Sequence, residues 1–111
     1  YLFLLELQPG VAFLGCTPEL LFRLEKGLLR TEAIAGTRRR GSSPEEDQQL
    51  ASELKGSLKD TRELDAVCEF LQEALGGALC SELHRSQPSI LPLRHVQHMR
   101  VSFAARLTPA P

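Results

Sequence analysis

The hydrophobic positions in the first third of the chain form short runs separated by turn residues. Apolar runs at Leu2–Leu7 and Val11–Leu14 flank Gln8-Pro9-Gly10. Proline presets φ for the first turn position and glycine supplies a positive φ, so this pattern predicts a β-hairpin. A second hairpin is predicted where Leu20–Leu29 alternates imperfectly around Glu25-Lys26-Gly27 and is followed by the apolar segment Leu28–Ile34.

The sequence also allows an alternative to the second hairpin and predicts a loop after it. A helix beginning at Thr17 competes with the second hairpin, because Thr-Pro-Glu is also a favourable helix start. Further on, Gly36–Ser43 is polar and carries two glycines, so a loop is predicted there.

Two helices are predicted in the middle of the chain. Ser43-Pro44-Glu45-Glu46 has the features of an N-cap, a first helical residue and an acidic first turn, and that helix runs to about Leu54, before Gly56. A longer helix begins near Lys59 and ends at Gly76-Gly77. Its apolar residues recur with the helical period and form one stripe, made of Leu64, Val67, Cys68, Leu71 and Leu75.

The last third contains an extended linker and a strand. Ser86–Pro92 has two prolines and polar residues, which favour an extended connection. Val96–Leu107 is predicted to be a strand, since Val101 and Phe103 alternate with polar neighbours. Strands followed by helices and a further strand predict an α+β fold, with antiparallel strands and packed helices.

Composition and charge exclude several functional classes. Thirteen Lys and Arg against 14 Asp and Glu give a net charge of −1, which argues against a dedicated nucleic-acid binder. No apolar run approaches the roughly 20 residues that a membrane span needs. The three cysteines have no metal-binding spacing and cannot all pair, so a reducing, intracellular compartment is expected. The chain opens at Tyr1, without an initiating Met, inside an apolar segment, and we expect it to be part of a longer polypeptide.

Two groups of residues could bind ions. Asp60 and Glu63 are three residues apart on the second helix, so their carboxylates share a face. Glu63 is also one turn from Val67 on the apolar stripe, and a carboxylate at that border can hold a hard cation. The alternative is a solvated acidic edge opposite Lys59 and Arg62. Arg38-Arg39-Arg40 could clamp a phosphate or carboxylate, or could simply be solvated.

Three further positions could contact a substrate. Ile34-Ala35-Gly36-Thr37 ends an apolar strand with small residues and a hydroxyl, which let an anion approach the backbone closely, although ordinary turns have the same appearance. Glu19 enters an apolar segment, where burial would favour its proton-donating form, and an exposed Glu is the alternative. His98 is flanked by apolar residues, which favours a core or hydrogen-bonded imidazole over a catalytic one.

Four segments resemble, in the same order, motifs of chorismate-utilising enzymes. Phe13–Leu21 (FLGCTPELL) resembles F-x-G-x-[ST]-P-E-x-L, and Thr31–Thr37 (TEAIAGT) is similar to T-E-[AP]-[LI]-A-G-T. Lys59–Glu63 (KDTRE) is similar to the start of the K-[DE]-x-x-E-H helix, and Val96–Met99 (VQHM) resembles V-Q-H-[LM]. The resemblance implies that residues 1–111 are a partial chorismate-binding domain of a larger layered fold, closest in appearance to isochorismate synthases.

The resemblance also implies a role for each candidate residue. Glu19 would be the general acid that protonates the departing 4-hydroxyl, and Glu63 would be a Mg²⁺ ligand. The substrate-binding residues would be Ile34, Ala35, Gly36, Thr37 and His98. The implied reaction of the full-length enzyme is the Mg²⁺-dependent isomerisation of chorismate to isochorismate, which serves menaquinone, phylloquinone, salicylate or siderophore biosynthesis.

The chain departs from the family pattern in ways that keep two alternatives open. Leu64 stands where the family has His, and the family's catalytic Lys and second metal carboxylate are not in these 111 residues. The chain alone is therefore expected to be inactive, with the rest of its own domain as its partner. The alternatives are an ammonia-using relative of anthranilate or aminodeoxychorismate synthases, and a non-catalytic remnant acting as a structural module. The expected compartment is the cytoplasm, or a plastid in a photosynthetic eukaryote.

Overall fold

The structure, a computed structural model, describes residues 1–77 and 80–108 and has an α+β architecture of antiparallel strands and two helices. Its elements in chain order are β1 (Leu2–Gln8), β2 (Val11–Cys16), β3 (Arg23–Glu25), β4 (Leu28–Arg39), α1 (Pro44–Gly56), α2 (Leu58–Leu75), β5 (Cys80–Arg85), β6 (Ser89–Pro92) and β7 (Val96–Leu107). Within the described residues, no helix combines the length and apolarity that crossing a membrane would require.

The predicted first hairpin is confirmed as a separate two-stranded sheet. β1 and β2 pair antiparallel, and Gly10 in their turn has a φ of 79°. The hairpin is exposed on both faces although most of its side chains are apolar, and Leu2 is 86% exposed. The rings of Phe3 and Phe13 pack against each other with centroids 5.6 Å apart.

The main sheet has the strand order β3-β4-β7-β5, with β6 also paired to β7. The second predicted hairpin is confirmed at its turn, where Lys26 and Gly27 both have positive φ, as a two-residue type I′ connection requires. Its first strand begins only at Arg23. The alternative helix from Thr17 is wrong, because residues 17–22 are neither helical nor extended in a strand.

Two segments predicted to lack regular structure are partly in strands. β4 does not end at Gly36 but continues to Arg39, because its ladder with β7 resumes after an irregularity and pairs Arg39 with Val96. Likewise, the last four residues of the predicted linker form β6, whose Ser89 lies opposite Arg100. In both places the hydrogen-bonding partner is a distant strand, β7, which a local pattern does not reveal. The predicted strand at Val96–Leu107 is confirmed.

Both predicted helices are confirmed, with boundaries within two residues of the expected ones. The Ser43 hydroxyl accepts a hydrogen bond from the Glu46 N–H at 3.2 Å and caps α1. Ser57 caps α2 in the same way, accepting from the Asp60 N–H at 3.3 Å. Each cap satisfies a backbone donor that the first turn leaves unpaired.

The two helices cover one face of the main sheet. Leu54 of α1 and Leu64 and Cys68 of α2 pack against residues of β4 and β7, and the buried cluster is completed by Ala33, Met99, Val101 and Phe103. Side chains alternate along a strand, so the opposite face carries Glu32, Ile34, His98, Arg100 and Ser102. We call this second face, which the helices do not cover, the outer face.

Candidate functional site

A β-bulge at Gly36 arranges the predicted substrate-binding residues. Ala35 lies opposite Met99 and Thr37 lies opposite His98, so Gly36 is an extra residue in β4. Gly36 has a φ of 70°, which glycine adopts without strain. The extra residue reverses the alternation, and Thr37 therefore lies on the outer face together with Ile34 and His98.

His98 is hydrogen-bonded to both residues of the bulge. Its Nδ1 lies 3.1 Å from the Gly36 carbonyl oxygen and 3.1 Å from the Thr37 hydroxyl. A carbonyl only accepts, so Nδ1 forms a hydrogen bond with Gly36 when it carries the ring proton. In the neutral ring, Nε2 is then the acceptor. The sequence-based interpretation of His98 as a hydrogen-bonded imidazole agrees with this geometry.

The four residues of the Ile34–Thr37 segment do not all present their side chains on the same face. Ile34 is half-buried on the outer face, and Thr37 is exposed there. Ala35 packs against the helix-covered core, so only its backbone is available to a ligand on the outer face. Gly36 offers peptide groups alone.

Glu19 lies in the irregular segment between β2 and β3, and its side chain is exposed. Its backbone N–H donates to the Thr17 hydroxyl at 3.1 Å. The residue borders a cavity of about 280 Å³, whose other lining residues include Glu32 of β4 and Val67, Phe70 and Leu71 of α2. The described residues therefore do not bury Glu19, but they place it beside a partly apolar cavity.

Asp60 and Glu63 differ in exposure and have different partners. Asp60 is 8% exposed, and its Oδ2 accepts from Arg38 Nη2 at 3.0 Å. Hydrogen bonds from Ser57 and then from Arg38 hold the pKa of Asp60 below its ordinary value. Glu63 is exposed, with its Oε1 3.9 Å from Lys59 Nζ. The described residues contain no group of three or more His, Cys, Asp or Glu that could hold a metal.

The three consecutive arginines are neither merely solvated nor a free anion clamp. Arg38 pairs with Asp60 of α2, whereas Arg39 pairs with Glu46 and Arg40 with Asp47, both of α1. These ion pairs attach the end of β4 and the residue after it to both helices.

The partners of Arg39 and Arg40 are strongly stabilised in their charged forms. The hydrogen bond from Arg39, followed by that from the Ser42 N–H, lowers the pKa of Glu46 to about 2. The hydrogen bond from Arg40, followed by that from the Gly41 N–H, lowers the pKa of Asp47 to about 2.

Gln97 is a polar residue whose role the sequence did not suggest. It is 1% exposed, and its Nε2 lies 3.2 Å from the Arg39 carbonyl oxygen and 3.3 Å from both the carbonyl oxygen and Oδ1 of Asp47. It thus connects β7 to β4 and to the first turn of α1. Thr31 and Glu32 belong to the TEAIAGT segment, and their contacts with the Glu19 segment could have been sought from that motif.

Parts of two solved structures have the same fold as this chain. The menaquinone-specific isochorismate synthase MenF from Escherichia coli superposes with a TM-score of 0.78 at 38% identity, over 90% of this chain and 23% of that one. A putative 2,3-dihydroxybenzoate-specific isochorismate synthase, DhbC from Bacillus anthracis, gives 0.79 at 29% identity, over 88% of this chain and 26% of that one.

Sequence relatives include isochorismate synthases and an anthranilate synthase. The chloroplastic isochorismate synthase of Catharanthus roseus is 36% identical over 96% of this chain and 18% of its own length. The isochorismate synthase of salicylate biosynthesis from Pseudomonas aeruginosa is 38% identical over 91% of this chain and 21% of its own length. The anthranilate synthase component 1 of Saccharomyces cerevisiae is 35% identical over 86% of this chain and 20% of its own length. The chain thus spans about a fifth of the length of the curated relatives it matches.

The sequence profile described as "Chorismate binding enzyme" matches residues 1–110, nearly the whole chain. The four motifs quoted above lie inside this match, and the bulge at Gly36 brings two of them, TEAIAGT and VQHM, into contact. The chain therefore belongs to the chorismate binding enzyme family.

Proposed function

We propose that this chain, in its native polypeptide, contributes the acid, substrate-contacting residues and one metal ligand of a Mg²⁺-dependent isochorismate synthase. The observation that carries the proposal is the bulge at Gly36, which brings Ile34, Thr37 and His98 to one face of the main sheet. The isochorismate synthases among the relatives support the same reaction.

The proposed role of Glu19 follows from the chemistry of the substrate. Isomerisation of chorismate adds the hydroxyl of one water at a ring carbon, while a base takes that water's other proton, and the 4-hydroxyl leaves as water after gaining a proton from an acid. Hydroxide is a poor leaving group, and a carboxylic acid that protonates the departing oxygen lowers this barrier. Glu19 is exposed at the border of the cavity of about 280 Å³, so its carboxyl group is accessible to a substrate.

The bulge residues have complementary tasks in this proposal. The Thr37 hydroxyl and the peptide N–H groups of the segment donate hydrogen bonds to oxygens of the substrate. His98, whose Nδ1–H is directed to the Gly36 carbonyl, offers Nε2 to a substrate hydroxyl. Ile34 supplies an apolar contact beside them, and Ala35 and Gly36 contribute their backbone.

Glu63 fits a Mg²⁺ ion as a single ligand. Mg²⁺ is bound by hard oxygens, keeps several waters and usually takes one or two protein carboxylates. The exposed carboxylate of Glu63 meets this requirement, whereas Asp60 is held by Arg38. When bound, the ion would neutralise negative charge on the substrate. We propose that the other carboxylate comes from outside these 111 residues.

Replacing Glu19 in the native full-length protein tests the proposal. Glu19→Gln keeps the shape of the side chain but removes the acid, and chorismate turnover should fall by about 10²-fold or more. Glu25→Gln, at an exposed glutamate of β3, is the matched control and should retain full turnover. Isochorismate formation is measured chromatographically, with and without Mg²⁺. Unchanged turnover in Glu19→Gln would overturn the assignment of the acid.

A second candidate function is supported by the anthranilate synthase component 1 of Saccharomyces cerevisiae among the relatives. In that case ammonia would replace water as the nucleophile. The same assay distinguishes the two reactions when ammonium is added, because an aminated product forms only in the second. Isochorismate as the sole product would exclude the second candidate.

The exposed apolar hairpin suggests where the rest of the native polypeptide packs. β1 and β2 expose large apolar side chains on both faces, which a protein surface in water rarely does. The chain covers only about a fifth of its relatives' length. We therefore propose that the remainder of the same domain covers this hairpin.

A further inference from the structure

The segment that carries Glu19 depends on side chains of β4 for its conformation. Residues 17–22 form no helix or strand, so their backbone polar groups need other partners. β3 pairs with β4 only from Leu28 to Arg30. Beyond Arg30 the segment is bonded to β4 through the side chains of Thr31 and Glu32 instead of through a backbone ladder.

Two hydrogen bonds bind this segment immediately after Glu19. The Thr31 hydroxyl donates to the Leu21 carbonyl oxygen at 2.7 Å, and Thr31 is only 6% exposed. The Leu20 N–H donates to Glu32 Oε1 at 3.4 Å. Since Thr31 and Glu32 are neighbours in a strand, they reach the segment from opposite faces of β4. Together they hold the two residues that follow Glu19.

Glu32 is itself held from the outer face of the sheet. Its side chain is 11% exposed, and Oε2 lies 3.8 Å from Arg100 Nη1. Arg100 lies opposite Ile34 and two residues after His98. The Glu19 segment is therefore connected, through Glu32 and Arg100, to the strand pair that carries the proposed substrate residues.

We infer that Thr31 and Glu32 are positioning residues for Glu19. They fix the irregular segment relative to Ile34, Thr37 and His98, so that the acid meets the substrate in a reactive geometry. The inference rests on the proposed function of Glu19. Proton transfer requires heavy atoms within about 3 Å, and a displacement of about 1 Å can cost on the order of 10²-fold in rate.

The test uses the native full-length protein and two pairs of substitutions. Thr31→Val removes the hydroxyl at similar volume, and Thr31→Ser retains it. Glu32→Leu removes the acceptor for the Leu20 N–H, and Glu32→Gln retains it. We expect the first member of each pair to lower kcat by about tenfold or more, with KM changed by less than about twofold. The second member should recover most of that loss.

Each substitution is repeated in a Glu19→Gln background to separate positioning from general destabilisation. If Thr31 and Glu32 act through Glu19, Thr31→Val and Glu32→Leu should change the residual kcat by less than about twofold there. An equal loss in both backgrounds, or no loss in either, would overturn the inference. The thermal midpoint of each variant reports whether it folds. Should Thr31→Val fail to fold, the comparison of Glu32→Leu with Glu32→Gln tests the positioning role alone.

The outcomes also distinguish this inference from the proposed function. If Glu19→Gln retains full turnover, the proposed role of Glu19 and the positioning role of Thr31 and Glu32 are both wrong. If Glu19→Gln loses turnover while Thr31→Val and Glu32→Leu keep a normal kcat, only the positioning role fails.

Discussion

The Thr37 hydroxyl lies 3.1 Å from Nδ1 of His98, at the point in the β4–β7 ladder where two residues of one strand oppose one residue of the other. The same Nδ1 contacts the Gly36 carbonyl oxygen at 3.1 Å. The contact exists because the bulge at Gly36 brings Thr37 to the outer face. Local backbone geometry therefore decides which side chains meet in the candidate site.

Replacing Gly36 by Ala should destabilise the protein. The residue has a φ of 70°, and an added Cβ would lie 2.7 Å from Leu54 Cδ1 and 2.9 Å from Asp60 Cβ. Backbone strain and overpacking each cost about 1–3 kcal/mol, so we expect the free energy of unfolding, measured in urea, to fall by about 2–6 kcal/mol. Gly56→Ala is the control, because its Cβ would meet nothing within 4 Å. Equal stability of Gly36→Ala and wild type would contradict the account of the bulge.

Replacing Thr37 by Val should weaken substrate binding without affecting folding. Thr37 is exposed, so the thermal midpoint should hardly change. Loss of a hydrogen bond to a charged substrate oxygen costs about 1.5–3 kcal/mol, which predicts an increase in the KM for chorismate of about tenfold or more. Thr37→Ser should restore the wild-type KM. Steady-state kinetics of the full-length protein measure both, and an unchanged KM in Thr37→Val would remove Thr37 from the substrate site.

Replacing Leu64 by Ala should cost about 2–5 kcal/mol of unfolding free energy, because Leu64 is 2% exposed in the core cluster. Leu58→Ala is the matched control on the same helix. Leu58 is 74% exposed, and its truncation should change stability by about 0.5 kcal/mol or less. Denaturant titration compares the two, and a similar cost for both would argue against Leu64 as a core residue.

The ion pairs of Glu46 and Asp47 make stability depend on acidic pH. In the folded protein both pKa values are lowered to about 2, whereas unfolded carboxyls titrate near about 4. A depressed folded-state pKa adds stability that is fully present above the unfolded value and is lost as pH falls toward the folded one. We therefore expect the thermal unfolding midpoint to decrease as the pH is lowered from about 5 to about 2.

Asp47→Asn tests the origin of this dependence. The variant keeps an oxygen that can accept from Arg40 but cannot titrate, so its thermal midpoint should decline less steeply over the same pH range. Glu25→Gln, at an exposed position on β3, should follow the wild-type curve. A slope in Asp47→Asn as steep as that of the wild type would show that other groups carry the acid sensitivity.

The amino-acid sequence alone determined the locally encoded elements. Serine caps, an acidic first turn and a stripe of apolar residues defined both helices, and Pro9-Gly10 and Lys26-Gly27 defined the hairpin turns. These signals work because capping and turn geometry depend on neighbouring residues. The order of four short motifs also identified the family, since each motif is a contiguous stretch of the chain.

Only the tertiary structure decided how those elements combine into a site. The residues after Gly36, predicted to be a loop, are in a strand because they pair with β7. Carboxylates of the two helices pair with Arg38 and Arg40 there. Asp60 pairs with Arg38, 22 residues away. The segment that contains Glu19 is not helical, and it is hydrogen-bonded to the side chains of Thr31 and Glu32. Apart from Asp47, which is seven residues from Arg40, the deciding partners are ten or more residues away in sequence, so the competing interaction exists only once the chain has folded.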